Sequence, residues 1–411
     1  MSVEIITFGC RLNAHESDII RTKATESGLN NVFIINSCAV TSEAERQLRQ
    51  EIRKLKKLYP DKKIILTGCA AQINGKEYEE MVDAVIGNID KLKDETYFNI
   101  QHQDKLSLVS DIMQATTTRN VIVEKYEAKV RGYLQVQTGC NHRCTFCIIP
   151  YGRGNSRSVP FREILQQAES LIANGCKEIV ITGVDITDYG LDLPGQPSLG
   201  QLVKRLLKYL PNLPRLRLSS VDVAEIEKDL IDVIANDMRF MPHLHLSLQS
   251  GDNMILKRMK RRHSREQVIK FCHQIISLRS DIVFGADIIA GFPTESNDMF
   301  ENTYNLLLEI EKIIHLHIFP YSIRNGTPAA KMPQVEIKTR KERAKKLRDL
   351  GELLLINHLK QQVGKKIKVL IESDMIGRSE DFCIVNVANK EIGLIIEGIV
   401  KSIHNDKLFI E

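Results

Sequence analysis

The chain has 411 residues, 27% charged and 43% hydrophobic, with a formal net charge of +5. Nine cysteines in this length are far too few for a disulfide scaffold, and no apolar stretch approaches the roughly 18 residues a membrane span requires. The mild net charge alone identifies no partner, and the length allows two or three domains, each with its own core. The first apolar run is short and opens a strand, with no charged n-region or apolar h-region ahead of it. No secretory signal is expected, and the protein is expected to work in the cytoplasm, away from membranes.

Residues 4–10, 32–38 and 63–69 read EIITFGC, VFIINSC and KIILTGC. Continuous apolar runs of this kind predict buried parallel strands. Helical patterns at 14–27 and 42–58 separate them, giving the order βαβαβ. In such a unit the strands end on one edge, where open α/β sheets bind ligands. Cys10, Cys38 and Cys69 are therefore expected to converge. One cysteine after a strand is ordinary packing; three on one edge point to a shared metal or cluster site. A disulfide cannot use three thiols evenly, and persistent disulfides are rare in the cytosol. This first domain is read as 1–90. A linking segment follows at 91–132, with β-like pieces at 107–111 and 121–123 that would add an edge strand or lie over the next domain.

Between 133 and 335, strand-like runs at 133–138, 178–182, 215–219, 243–248, 283–289 and 314–319 alternate with helical patterns. Those patterns fall at 161–173, 199–210, 229–236, 265–278 and 297–310. Repeated βα units imply a parallel sheet with right-handed crossovers. Six units fit an open (β/α)6 barrel better than a closed eight-stranded one. In barrels of this type the active site lies at the C-terminal ends of the strands.

The first of these strands runs directly into GCNHRCTFC, residues 139–147. The spacing is C-x3-C-x2-C, over Cys140, Cys144 and Cys147. It supplies three thiolates and no fourth. A structural zinc site wants four protein ligands and usually pairs its cysteines as C-x2-C. A cubane iron–sulfur cluster held by three thiolates keeps one iron open for the amine and carboxylate of a small molecule. The competing reading is a zinc knuckle completed by His142 or by a distant residue.

Basic residues are grouped. KRMKRR at 257–262 has five in six, and KTRKERAKKLR at 338–348 has seven against the single acid Glu342. The helix over 46–57 adds Arg49, Arg53, Lys54 and Lys56. Such clusters are candidate phosphate-contact surfaces, although a solvated helix face explains any one of them as well. In the basic helix at 336–362, Lys341, Arg343, Lys345 and Lys346 are the candidate nucleic-acid-contacting residues. Short strands at 366–371, 382–387, 392–400 and 408–410, split by a turn-rich stretch at 374–381, predict a small antiparallel β-barrel over 363–411. Such barrels commonly bind nucleic acid. The absence of tryptophan offers little for base stacking.

The C-x3-C-x2-C loop, with Phe146 just before its last cysteine, resembles the signature of the radical S-adenosylmethionine (SAM) enzymes. With the N-terminal cysteine trio and the small C-terminal barrel, the whole chain resembles their methylthiotransferase branch. The fold class implied is α/β: an N-terminal βαβ domain, a partial radical SAM barrel and a C-terminal TRAM-like β-barrel. The resemblance implies two [4Fe–4S] clusters. Cys140, Cys144 and Cys147 would hold the one that binds SAM, and Cys10, Cys38 and Cys69 an auxiliary one. It further implies conversion of a C–H bond to C–S–CH3, with an electron donor and a sulfur donor as partners. No catalytic side chain beyond the cofactors is invoked.

The same resemblance suggests SAM contacts. Gly183 and Asp185 stand where the family has a glycine-rich acidic motif, here without the tandem glycine. Ser247 and Gln249 end the fourth strand, Arg261 could hold the SAM carboxylate, and Gly291 follows the fifth strand, where a glycine would let the backbone approach the adenine. Cys176, Cys272 and Cys383 are read as structural packing.

FGCRLN at 8–13 with ESD at 16–18, TGVDIT at 182–187 and LHIFPY at 316–321 most resemble the branch that modifies N6-threonylcarbamoyladenosine at position 37 of tRNA, beside the anticodon. The isopentenyladenosine branch typically has Gly-Cys-Gln-Met-Asn at the first cysteine, and the branch acting on a ribosomal-protein aspartate more often has Gly-Cys-Pro-Lys-Asn. The expected partner is the tRNA anticodon stem-loop, with its base splayed into the barrel mouth. An anionic threonylcarbamoyl group would need a cation nearby, and Arg11, directly after the first cysteine, and Arg153, just past the C-x3-C-x2-C loop, are the candidates. The alternative from another class is a zinc-dependent RNA-binding protein without catalysis.

Overall fold

The computed structural model describes residues 3–103, 105–118 and 130–411. The β-like piece read at 121–123 lies outside them.

The N-terminal unit runs β1 (Val3–Thr7), α1 (Arg11–Glu26), β2 (Val32–Ser37), α2 (Ser42–Leu58), β3 (Lys63–Gly68), α3 (Cys69–Asn74), β4 (Ala84–Ile86), α4 (Asp94–His102) and β5 (Leu106–Leu108). Its five strands form one parallel sheet in chain order. Side chains alternate across a strand, so the two faces bury different sets. Phe33, Ile35, Ile64 and Leu66 pack with Leu48, Ile52 and Leu55 of α2. Val32, Ile34 and Ile65 pack with Ile20 and Ala24 of α1 and Tyr97 and Ile100 of α4. The sheet order contains no reversal, so the ligand edge is marked only by the cysteine loops. Residues read as a link at 91–132 thus include the last αβ unit of the sheet. Three-residue β5 is too short to show a period of its own.

The second unit comprises β6 (Arg131–Gln135), β7 (Gln137–Thr138), α5 (Ile149–Arg153), β8 (Arg157–Ser158), α6 (Phe161–Ala173), β9 (Glu178–Thr182), α7 (Leu199–Tyr209), β10 (Arg215–Leu218), β11 (Ser220–Val221), α8 (Lys228–Asn236), β12 (His243–Gln249), α9 (Asn253–Met259), α10 (Arg265–Leu278), β13 (Val283–Ala290), α11 (Asn297–Glu309) and β14 (Ile313–Pro320). β6, β9, β10 with β11, β12, β13 and β14 are parallel and succeed one another in space, an open (β/α)6 barrel. β10 and β11 are one strand interrupted at Ser219, whose N–H donates to the Ile181 carbonyl. Leu216, Leu218, Leu244, Leu246, Leu248, Ala286 and Ile288 face the helices in one apolar core. The residues that alternate with them, Arg217, His243, His245, Asp287, His315 and His317, line the lumen. The HLHL and HLHI runs of β12 and β14 carry that alternation in the sequence.

α12 (Ile337–Gln362) lies on β14 and β13. Its Ala344, Leu347, Leu350 and Leu354 join the barrel core, and Leu359 joins the core of the last domain. That domain is a closed five-stranded barrel of β15 (Lys366–Ser373), β16 (Ile376–Ser379), β17 (Ile384–Asn386), β18 (Ile395–His404) and β19 (Lys407–Ile410), ordered β15-β16-β17-β19-β18. β16 occupies the stretch read as turn at 374–381. Gly377, which weakens the strand signal, is required because a Cβ there would stand 2.4 Å from Val369 Cγ1.

The sheet domain closes the open side of the barrel. α1 lies along β6, and beyond β14 Ser42 Oγ is 2.9 Å from Ser322 Oγ while Arg324 Nη2 is 2.8 Å from Glu45. The cysteine edge of the sheet is thereby brought beside the barrel.

Candidate active site

Cys10, Cys38 and Cys69 follow β1, β2 and β3 and lie together; Cys69 also opens α3, a helix with no clear signal in the sequence. Two glycines permit the approach. Gly9 has φ +101°, and a Cβ on it would be 2.8 Å from Cys38 Cβ. Gly68 has φ +94°, and its Cβ would meet the Ser37 backbone at 2.4 Å. Both conformations are open to glycine and strained for other residues. Asn13 ties the loops by donating to the carbonyls of Phe8 (2.7 Å) and Ser37 (3.0 Å). Burial first, then its sister thiols Cys69 and Cys10, push the Cys38 thiol up to about 11.

Cys140, Cys144 and Cys147 occupy the loop after the β7 end of the first barrel strand. Cys140 N–H donates to the Gly154 carbonyl (3.0 Å), and Thr145 N–H to the Met259 carbonyl (3.1 Å). Burial first, and the neighbouring Cys144, push the Cys147 thiol up to about 12; Cys140 is raised for the same reason, with Asp185 adding to it. Phe146 packs edge-on against Phe292, centroids 6.3 Å apart. Cys140 and Cys147 are thus unfavourable as free thiolates, and the three half-buried sulfurs together suit a shared cationic centre. Each trio offers three sulfur donors. His142, the residue that would complete a zinc site, stays near Cys140 and is paired with carboxylates: its Nε2 is 3.1 Å from Asp185 and 3.6 Å from Glu225, which raise its pKa to about 10.

Around this loop the SAM candidates fall as follows. Asp185 lies beside it, Oδ2 3.6 Å from Cys140 Sγ, and accepts from Thr187 Oγ1 at 2.9 Å. A Cβ on Gly183 would stand 2.9 Å from both the carbonyl and the Oε1 of Gln137. Gln137, which the sequence reading missed, organises the turn. Its Oε1 accepts from Val184 N–H (3.0 Å) and Asp185 N–H (2.9 Å), while its Nε2 donates to the Gly139 carbonyl (2.6 Å). The sequence offers only a glutamine three residues before the first cysteine of the loop; its burial is visible in the fold alone. Arg261 is nearly buried: Nη2 donates to Asp222 and to the Ser247 carbonyl, both 2.8 Å, and Nη1 lies 3.7 Å from Cys144 Sγ. Ser247 thus meets Arg261 through its carbonyl, and Gln249 holds a left-handed φ of +68° at the end of β12. Gly291 does not leave room for an adenine, because a Cβ there would be 2.5 Å from Arg340 Cγ of α12; this glycine serves helix packing.

One short helix joins the two trios. α5 begins two residues after Cys147, and its last residue, Arg153, points Nε at Cys69 Sγ, 3.3 Å away. Arg153 is not free for a substrate. It is buried against Glu16 and Asn13, and Lys91 Nζ pairs with the same Glu16 at 2.6 Å. Burial alone would raise the Glu16 pKa; Arg153 and Lys91 outweigh it and hold the carboxyl at about 2.

The basic runs divide. Lys257, Lys260 and Arg261 line a cavity of about 650 Å³ with Asn141, His142 and Arg143, directly beside the cluster loop. In α12, Lys341, Lys345 and Lys346 are exposed, but Arg343 is buried and pairs with Glu295 at 2.7 Å. Arg343 is thereby withdrawn from the tRNA-contacting set. In α2, Arg46, Arg49 and Lys54 pair with Glu43, Glu77 and Glu51, as on a solvated face.

The family model of the radical SAM superfamily matches residues 134–307, and that of the uncharacterized protein family UPF0004 matches residues 2–87. The barrel is a radical SAM domain. The chain is 55% identical over 381 residues to the threonylcarbamoyladenosine tRNA methylthiotransferase MtaB of Rickettsia prowazekii, covering 92% of this chain and 90% of that protein. It is 35% identical to the protein of the same name from Aquifex aeolicus, covering 97% and 100%. The tRNA-2-methylthio-N(6)-dimethylallyladenosine synthase of Neorickettsia sennetsu is 32% identical, covering 90% and 82%. Among solved structures, the radical SAM methyltransferase TsrM of Kitasatospora setae shares the fold, with a TM-score of 0.56 at 14% identity over 80% of this chain and 74% of that one. The chain belongs to the radical SAM tRNA methylthiotransferase family. Its cofactors are SAM and [4Fe–4S] clusters.

Proposed function

We propose that this enzyme inserts a methylthio group at carbon 2 of N6-threonylcarbamoyladenosine at position 37, next to the tRNA anticodon. The similarity to threonylcarbamoyladenosine tRNA methylthiotransferases supports the substrate, and the observation that carries the two-cluster chemistry is α5. It begins beside one thiol trio at the barrel mouth and, on the order of 8 Å further along a helix rising 1.5 Å per residue, touches the other through Arg153. Cys140, Cys144 and Cys147 would hold the SAM-binding [4Fe–4S] cluster, and Cys10, Cys38 and Cys69 the auxiliary one. When bound and reduced, these groups would supply radical chemistry from one SAM, a methyl group from a second, and a site for the inserted sulfur.

The chain's own residues position and shield. Gln137 fixes the Gly183–Asp185 turn and the start of the cluster loop. Asp222 holds Arg261 beside Cys144. The cleft lined by Lys257 and Lys260 gives RNA phosphates a cationic track to the mouth. The exposed α12 lysines extend that surface, and the C-terminal barrel belongs to it. The work is placed in the cytoplasm, with an external electron donor and sulfur donor. No helix among the described residues is long and apolar enough to cross a membrane.

Nucleoside mass spectrometry of tRNA from a deletion strain tests the reading. The methylthiolated threonylcarbamoyladenosine should vanish and return with the wild-type gene, but not with Cys140→Ala or Cys10→Ala. Loss of the methylthiolated isopentenyl nucleoside instead would move the substrate to the other tRNA branch. A colourless, zinc-loaded protein from anaerobic purification would remove the catalytic reading altogether.

A further inference from the structure

The lower end of the barrel lumen is crowded with cations. Arg131, Arg215, Arg217 and Arg378 converge there, and Phe382, from the loop between β16 and β17, closes the floor. The ring stacks on His243 at 5.3 Å and has Arg131, Arg217 and Arg378 within 5.0 Å of its centroid. Each of these arginines has acceptors. Arg131 pairs with Glu178 (2.5 Å) and Glu372 (2.6 Å), and Arg217 with Glu178 (2.9 Å). Arg215 donates to the carbonyls of Arg378 and Lys368, and Arg378 to that of Phe382.

Arg11 differs. It follows Cys10, begins α1, and sends its guanidinium into this space, 5.8 Å from the Phe382 centroid. Among the described residues no carboxylate or carbonyl accepts from it. Four carboxylates, Glu178, Glu372, Glu380 and Asp381, act on the arginines here, and none of them bonds to Arg11. A guanidinium without an acceptor among the described residues is free to take an incoming anion.

Substrate chemistry supplies one in the right place. In adenine, carbon 2 and the carbon bearing N6 flank the same ring nitrogen. A substituent on N6 therefore reaches past the carbon that receives sulfur. Arg11 follows one thiol of the N-terminal trio, and its side chain runs from there into the lumen toward Phe382.

We propose that Arg11 is a specificity-determining residue that binds the carboxylate of the threonylcarbamoyl substituent, an inference that rests on the substrate reading above. It separates an anionic N6 substituent from an apolar or absent one. An RNA phosphate or the SAM carboxylate could satisfy the same guanidinium, and the test distinguishes them.

Equilibrium binding of holoenzyme is measured to tRNA with and without the threonylcarbamoyl group, and SAM binding is measured separately. Wild type should prefer the modified tRNA by about 10- to 100-fold, the range of a charge-assisted hydrogen bond. Arg11→Gln should erase that preference and leave binding of unmodified tRNA within about two-fold. Equal weakening on both tRNAs assigns Arg11 to a phosphate, and weakened SAM binding assigns it to SAM; either overturns the proposal, as does a preference that survives in Arg11→Gln. If wild type itself shows no preference, the substrate reading fails and the proposal with it. Iron content monitors the adjacent Cys10 site. Should Arg11→Gln lose iron, Arg11→Lys carries the test: it should keep a reduced preference, and none would overturn the assignment.

Discussion

Arg153 Nε lies 3.3 Å from Cys69 Sγ, although the two residues belong to different domains and are 84 positions apart. The same guanidinium grips Glu16 of α1 through two nitrogens. A single side chain therefore ties the helix leaving the Cys140–Cys147 loop to a thiol of the second trio and to the helix that follows Cys10. Relative placement of the two sulfur sites depends on a buried ion pair, whose geometry is fixed by the planar guanidinium fork.

Replacing Arg153 by Met should leave Glu16 with Lys91 alone and remove the contact to Cys69. Breaking a buried pair costs about 3–5 kcal/mol, read as a lower urea midpoint with unchanged m. Iron held by Cys10, Cys38 and Cys69 should fall with it, to about half the total if that trio holds one of two equal clusters. A variant with wild-type stability and full iron would show that the bridge is incidental.

Gln137 gives a second prediction. Gln137→Met removes three hydrogen bonds that shape the Gly183–Asp185 turn and the Gly139 carbonyl, leaving two backbone N–H groups without their acceptor. Reductive SAM cleavage should fall and the SAM Kd should rise, by about 10-fold or more if the turn collapses. Iron bound by the N-terminal trio should not change. Wild-type SAM affinity in this variant would remove Gln137 from the positioning set.

The two basic surfaces are separable by salt dependence. Lys257→Gln with Lys260→Gln should weaken tRNA binding and lower the slope of log K against log salt by about 1.4–1.8, two phosphate contacts' worth. Lys341, Lys345 and Lys346 neutralised together should act in the same sense and more weakly, because Lys345 already pairs with Asp349 at 2.6 Å. Arg343→Gln should do something else: lower the unfolding midpoint with the salt slope intact, since Arg343 is buried on Glu295. An unchanged slope in the Lys257/Lys260 variant would return that cleft to ordinary solvated surface.

Arg343 also shows where sequence reading stops. Ala344, Leu347, Leu350 and Leu354 recur at helical spacing, so the buried face of α12 was legible. The burial of Arg343 depends on Glu295, 48 residues away, and no local pattern reports it. The convergence of Cys10, Cys38 and Cys69 was legible because each closes a strand of one parallel sheet. The lumen was half legible. HLHL and HLHI announce polar residues alternating with core leucines, but only the fold shows that these faces meet. Phe382 was read simply as the start of a strand, and its role as a floor beneath another domain is a tertiary fact. Gly291 was read for a nucleotide because glycine reports that space is needed, not what fills it.

The last prediction concerns Glu178, buried between Arg217 and Arg131 at the base of the lumen. Burial alone would raise its pKa; the two guanidinium groups outweigh that and hold the carboxyl at about 2. An unfolded chain would titrate this carboxyl near 4.3. A depressed pKa contributes stability that is complete above the unfolded value and is lost as pH falls through the folded one. Glu178→Gln leaves two buried guanidinium groups short of their shared anion, and at pH 7 the variant should be less stable by about 3–5 kcal/mol. The gap between wild type and variant should hold from pH 7 to about 5 and narrow as pH drops from about 4 toward 2, because protonation removes from wild type what the substitution removed from the variant. Urea unfolding of both proteins at pH 7, 5 and 3.5 checks it. A gap that stays constant across that range would mean that Glu178 acts through its shape and neutral hydrogen bonds, and the ion cluster beneath the active site would then contribute nothing to stability through its charge.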